Sequence, residues 1–171
     1  MAKPSGWWTT HPTILSISVA KAWDSNGDGF GDFEGLRGHL DYLIDMGISG
    51  LLLKQVTRFG DDFEWGGLVA QDWFDVDPRY GTLADFDRLA ADCADRDFRL
   101  LSMAVPEYLG WQHPDYVAAR KARDDGRADP RVAWFHWEDD GTVATTWNHP
   151  GPDFGNPGYM DAYLRHIDFW M

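Results

Sequence analysis

The run Asp24-Ser25-Asn26-Gly27-Asp28-Gly29-Phe30-Gly31-Asp32 alternates oxygen-bearing side chains with small ones. That composition suits a hard cation. Calcium takes about six to eight oxygen ligands, drawn from carboxylates, side-chain amides and backbone carbonyls. Asp24, Asn26, Asp28 and Asp32 offer side-chain oxygens and Phe30 a carbonyl, so these are the expected metal ligands. Calcium in a structural role is the expected ion. Magnesium is the alternative, and it would demand stricter octahedral geometry and retain waters. The interleaved glycines let the backbone wrap closely, because glycine reaches positive φ without a steric cost.

Two other readings of the loop stand beside this one. The spacing fits the early positions of an EF-hand, as in a dockerin-like calcium module, but the last position should be a bidentate glutamate. Gly35 stands there, with Glu34 one place early. The preceding residues, Thr13 to Val19, alternate as a strand rather than a helix. An acidic turn without an ion is the plainer alternative, since Asp, Asn and Gly are common turn formers.

Other chemistry-bearing residues are sparser. Glu107 falls after an apolar run, with Tyr108 and Trp111 close enough in sequence to raise its pKa by desolvation. One carboxylate without a partner is a weak catalyst, so a solvated loop glutamate is the competing reading. The Asp61-Asp62 pair and Glu64 fall on a loop whose geometry sequence does not fix. Trp134, Trp137 and Trp147 could form a sugar platform, although such clusters more often pack a loop onto its body. The histidines lack metal-ligand spacing and read as surface or structural.

The elements that must position these groups follow from periodicity. A first strand covers Ile14 to Val19, and the acidic loop follows it. Phe33, Leu36, Leu40, Leu43 and Ile44 recur at helical spacing up to Gly47, a helix stop. Ile48 to Leu53 is the short apolar run of a buried parallel strand. A long loop spans Lys54 to Tyr80. Thr82 with Asp85 forms a capping box for a second helix, with Phe86, Leu89, Ala90 and Cys93 on its buried face. Phe98 to Val105 is a third strand. An irregular excursion over residues 105–155 holds one short helix from Pro114 to Asp124. A last helix begins at Asn156-Pro157, its stripe running through Tyr159, Met160, Tyr163, Leu164, Ile167 and Trp170. Strand and helix alternate three times, which calls for a parallel sheet. The long loops after the strands predict an α/β chain forming the N-terminal part of a (β/α)8 barrel.

Composition narrows the function classes. The 171 residues suffice for one domain with a sizeable core. A net charge of -13 argues against nucleic acid or an anionic membrane as partner. Cys93 is the lone cysteine, which suits a reducing compartment. No apolar run marks a signal peptide at the N-terminus and no stretch reaches transmembrane length, so the expected location is cytoplasmic.

The motifs also carry a resemblance. The acidic loop, Leu40-Asp41-Tyr42-Leu43 with Met46-Gly47-Ile48, and Asp75-Val76-Asp77-Pro78-Arg79-Tyr80-Gly81-Thr82 resemble the N-terminal part of the alpha-amylase family of glycoside hydrolases, glycoside hydrolase family 13. Gln112-His113-Pro114, Trp134-Phe135-His136-Trp137, Asn156-Pro157 and Phe169-Trp170 extend the similarity to the chain's end. The branch is that of alpha-glucosidases and trehalose synthases. The resemblance implies a barrel acting on alpha-glucosidic bonds, with a metal in the acidic loop. It implies catalytic carboxylates on later strands, beyond Met171, so this chain is expected to be inactive alone. The departures fall on sugar-facing positions. After strand three, Met103 stands for the family's Asp, Glu107 for its Asn and Tyr108 for its His. After strand two, Gly67 is followed by Leu68 and Val69 where the family has Tyr and Asp. Ser18-Val19 replaces a Tyr-Pro after strand one. An alternative function is a non-catalytic protein that binds an alpha-glucan or maltooligosaccharide, or serves assembly. Open strand edges also predict self-association, or a partner chain that completes the barrel.

Overall fold

The computed structural model describes residues 12–60 and 68–171. Trp7, Trp8, His11, Asp61, Asp62, Glu64 and Gly67 lie outside the described residues. The chain divides into two compact units, the first holding Val76–Met103 with the chain up to Val56, the second Thr57–Asp75 with Ala104–Met171.

The first unit is built on a parallel sheet of order β1 (Ile14–Ile17), β2 (Gly50–Leu53) and β3 (Arg99–Ser102). Ile14 lies opposite Gly50 and Ile17 opposite Leu53, while Gly50 and Leu53 face Arg99 and Ser102 on the other side. Leu51 and Leu53 of the central strand are fully buried. All three strands are shorter than their apolar runs. After Ile17 the chain enters a 3-10 turn, Val19–Lys21, closed by the Lys21 N–H donating to the Ser18 carbonyl. β3 stops at Ser102, although Met103 N–H still reaches the Leu53 carbonyl at 2.9 Å; Pro106 then brings a residue with no N–H to donate.

The expected first helix is two, α1 (Phe33–Gly38) and α2 (Leu40–Asp45). The break is at His39, whose ring Nδ1 lies 2.8 Å from the Gly35 carbonyl and whose ring stacks on Trp23 at 4.3 Å. Glycines at 35 and 38 add little helix-forming tendency there. The apolar stripe survives the break: Phe33, Leu36, Leu40 and Leu43 are all buried. α3 (Leu83–Asp95) opens on a full capping box, with Asp85 N–H donating to the Thr82 side chain and Thr82 N–H to the Asp85 carboxylate. Its Phe86 meets Phe33 edge-on at 5.4 Å, and Arg37 bridges to Asp92 at 2.8 Å. Leu89 and Cys93 are its fully buried positions.

The second unit shows that the excursion after β3 is organised. It contains α4 (Pro114–Asp124), a 3-10 turn (Pro130–Trp134), a small antiparallel hairpin of β4 (Thr145–Thr146) and β5 (His149–Pro150), and α5 (Pro157–Trp170). α4 keeps the expected bounds. The core gathers Trp73, Leu109, Tyr116, Trp134, Phe135, Tyr159 and Tyr163. Trp73 is its anchor: His166 approaches its carbonyl at 3.0 Å, and the Trp170 indole donates to the same oxygen at 2.8 Å. On α5 the buried residues are Tyr159, Ala162, Tyr163 and His166, whereas Leu164, expected in the stripe, is 53% exposed. Among the described residues no helix is long and apolar enough to cross a membrane.

Candidate functional site

The acidic loop is closed by its own short-range bonds. The Asp24 carboxylate accepts from Gly27 N–H at 2.6 Å and from Gly29 N–H at 2.8 Å. Those donors, Gly29 first, hold its carboxyl below the usual carboxylate range. Gly27 and Gly29 supply the bends, with φ of 82° and 93°. The Asn26 side-chain oxygen accepts from Asp28 N–H, and the Asp28 carboxylate from Phe30 N–H. Arg79 lies over the Phe30 ring at 5.6 Å and is itself paired with the buried Asp77 at 2.7 Å. Tyr80 accepts the Phe33 N–H through its carbonyl. Two motifs far apart in sequence therefore meet, the segment Asp77 to Tyr80 bracing the loop and the start of α1.

Asp32 differs from its neighbours. It is 5% exposed, and its carboxylate caps α1 by accepting from Gly35 N–H at 2.6 Å. It also takes the Ser25 N–H at 2.9 Å and the Ser25 hydroxyl at 2.8 Å. The Ser25 hydroxyl has one hydrogen to share between the two oxygens, so three donors meet four lone pairs and one acceptor position is left over. Asp24, Asn26 and Asp28 stand exposed with acceptor positions left over. Among the described residues no three His, Cys, Asp or Glu side chains converge as a ready ion cage. The donor chemistry of Asp24, Asn26, Asp28, Asp32 and the Phe30 carbonyl fits a hard cation, and Asp32 also caps α1.

The strand-three exit carries Met103, Glu107 and Tyr108. Glu107 is exposed, while Tyr108 is buried and tilts against the His149 ring at 5.7 Å. Burial, with the Glu107 charge second, pushes the Tyr108 hydroxyl's pKa up. Two of the tryptophans expected as a platform, Trp134 and Trp137, join the core of the second unit. Trp134 is buried against Tyr159, Trp137 donates to the Val132 carbonyl with Arg123 over its ring at 4.7 Å, and Trp147 is 66% exposed. The first two pack the excursion rather than offer a free ring face.

The second unit also contains a cleft of about 690 Å³ that periodicity and spacing did not reveal. Arg58, Gln71, Asp72, Trp111 and Gln112 line it, with Pro114 at the start of α4. Its walls are fixed by backbone bonds. Gln71 N–H donates to the Arg58 carbonyl at 2.7 Å, and Phe59 bridges to Ala70. Gly110 N–H donates to the Ala70 carbonyl at 2.8 Å. Gln71 crosses over Gly110, where a Cβ would collide with its amide, and its carbonyl oxygen accepts from Gln112 N–H at 2.9 Å. Trp111 donates its indole N–H to the Asn148 carbonyl at 3.2 Å and is 40% exposed. The glycine between Leu109 and Trp111 was the one sequence-level hint of a close approach there.

Residues 18–158 match the family model described as alpha amylase, catalytic domain. The chain belongs to the alpha-amylase family. Among curated relatives, a probable alpha-glucosidase of Rhizobium meliloti (strain 1021) is 29% identical over 100% of this chain and 35% of its own length. An alpha-glucosidase of Schizosaccharomyces pombe (strain 972 / ATCC 24843) is 32% identical over 80% of this chain and 22% of its own. The chain thus spans about a third or less of these relatives. Among solved structures, the trehalulose synthase MutB from Pseudomonas mesoacidophila MX-45 superposes with a TM-score of 0.82 at 23% identity, covering 98% of this chain and 34% of that one. The isomaltulose synthase SmuA from Protaminobacter rubrum gives 0.85 at 22%, with 95% and 33% covered. Both carry the same fold. The alpha-amylase-family chain described here forms about three βα units of the N-terminal part of a (β/α)8 barrel, with a long insertion after β3.

Proposed function

We propose that these residues form the metal-braced portion of a protein acting on alpha-glucosides, and that the 171-residue chain does not hydrolyse glycosidic bonds by itself. The observation that carries this reading is the contrast at the strand ends. The loop after β1 keeps the family pattern, while the exit of β3 presents Met103, an exposed Glu107 and a buried Tyr108 in place of the family's Asp, Asn and His. Retaining hydrolysis needs two carboxyl groups about 5–5.5 Å apart across one bond. The resemblance assigns that pair to later strands, and Glu107 alone does not replace it.

Calcium in the acidic loop belongs to the same proposal. Asp24, Asn26, Asp28, Asp32 and the Phe30 carbonyl would hold it, with Asp32 also capping α1. The ion would neutralise the carboxylates that the loop crowds together. Incubation of the purified chain with p-nitrophenyl alpha-glucoside and maltose is expected to give no turnover above an unrelated protein prepared identically. Turnover that survives that control would refute the inactive reading. In a thermal scan, calcium chloride is expected to raise the midpoint over EDTA, and Asp28→Ala to abolish the rise. Because ligand at about a hundred times Kd adds about 2.7 kcal/mol, an unchanged midpoint at millimolar calcium would remove the metal from the proposal.

A further inference from the structure

We infer that the Trp111 cleft is a saccharide-binding subsite, one built from residues that none of the family's sugar-facing positions supply. The inference rests on the alpha-glucoside reading for the choice of sugar, but its geometry is its own. Met103, Glu107, Tyr108, Leu68 and Val69, the positions where the family signatures are altered, do not line this cleft.

A neutral pyranose presents flat C–H faces and a rim of hydroxyls. Recognition calls for an aromatic face beside a small number of placed donors and acceptors in a concave site of about 300–1,000 Å³. The cleft is in that range at about 690 Å³. Trp111 provides the ring. Its orientation is held from both ends, by the N–H bond to the Asn148 carbonyl and by an edge-on contact with Tyr116 at 5.5 Å. Gln71 spends its oxygen on Gln112 N–H, which leaves its NH₂ as the donor group. Asp72 gives one oxygen to Phe74 N–H and keeps the other as an acceptor. Arg58 adds a guanidinium from an exposed position. Donors and acceptors of both kinds beside one ring suit hydroxyls, which are both. The net charge of -13 disfavours an anionic ligand.

The site also indicates length. Trp111 and Gln112 line a second groove of about 480 Å³ that runs along α4 past Val117 and Arg120. The ring is shared by the two hollows, so the ligand that uses both is a short oligosaccharide rather than a single glucose.

The test uses the 171-residue chain and maltotriose, read by isothermal titration and by protection of Trp111 from N-bromosuccinimide oxidation, with peptide mass spectrometry to locate the modified indole. Expected are saturable binding, weaker binding of glucose, protection of Trp111, and at least a tenfold loss of affinity in Trp111→Ala and in Asp72→Ala. Protection is measured on the unaltered chain, so a variant that fails to fold does not decide the matter. Binding that leaves Trp111 oxidisable and is unchanged in both variants would overturn this subsite while the alpha-glucoside reading stood. Absence of saturable binding to maltotriose would overturn the subsite alone, since the alpha-glucoside reading rests on the strand-end contrast and not on this cleft.

Discussion

The acidic loop and the Trp111 cleft solve the problem of presenting polar groups in opposite ways. In the loop, each bond spans a few residues: Asp24 to Gly27 and Gly29, Asn26 to Asp28, Asp28 to Phe30, Ser25 to Asp32. In the cleft, Gln71 meets Gln112 and Trp111 meets Asn148, and in the core of the same unit Trp73 is held by His166 and Trp170. A locally closed loop can be damaged piece by piece. A region assembled from distant segments depends on a few buried anchors, and should fail as a whole.

The sharpest way to break that contrast is Trp73→Ala. Trp73 is 2% exposed and contacts His113, Tyr159, Tyr163 and His166. Its truncation is expected to cost about 3–5 kcal/mol. Hydrogen exchange should then show lost amide protection through Ala104–Met171. Protection retained there would mean that the anchor is not one.

Acid is the next probe. His113 is 3% exposed, its Nδ1 accepts from Asp115 N–H at 3.3 Å, and its Nε2 finds no hydrogen-bond partner. Burial lowers its pKa from 6.5 to about 4, outweighing the charges of Asp115 and Asp72, which raise it; His166 lowers it further. The Asp115 carboxylate, at 3.9 Å, is too far for a close pair, so the neutral ring is the form the fold selects. A depressed histidine pKa means that the unfolded chain binds the extra proton first. Stability is therefore full above pH 6.5 and is expected to fall by about 3 kcal/mol between pH 6.5 and 4. Urea midpoints at pH 7 and pH 4.5 measure it, and His113→Gln should flatten the slope. An equal slope in the variant would move the acid sensitivity elsewhere.

The smallest of the three effects belongs to the loop. Asp32→Ala removes the α1 cap and the Ser25 tie, and is expected to cost about 1–2 kcal/mol. Urea denaturation of the calcium-free chain measures it. A loss as large as that of Trp73→Ala would erase the distinction between the two regions.

The same distinction governs what could be read before any coordinates. The loop, the Thr82–Asp85 box, α4 and the strand-helix alternation were legible because the residues that make them are neighbours, and local pattern reports local bonds. The split at His39 was not, because it depends on a ring contact with Trp23 that periodicity cannot express. Nor was Asp32's second role as the cap of α1, since a calcium ligand and an N-cap ask for the same side chain at the same spacing. The order within residues 105–155 was missed because its apolar residues serve the core of the second unit through a 3-10 turn, a two-residue-strand hairpin and isolated bridges, none of which has a period. Arg58, Gln71 and Asp72 carried no signal at all, for they become a site only beside Trp111.

The turn between β4 and β5 carries a further consequence, for how this surface can change over generations. Trp147 and Asn148 both sit at positive φ, 52° and 64°, and Thr146 pairs with His149 across them. Glycine and asparagine adopt that backbone at less cost than tryptophan, so the backbone does not oppose exchanges toward them. An added or lost residue is another matter. It would shift His149 out from under Tyr108 and pull the Asn148 carbonyl away from Trp111. The backbone of this tip is therefore permissive of identity and closed to drift in length.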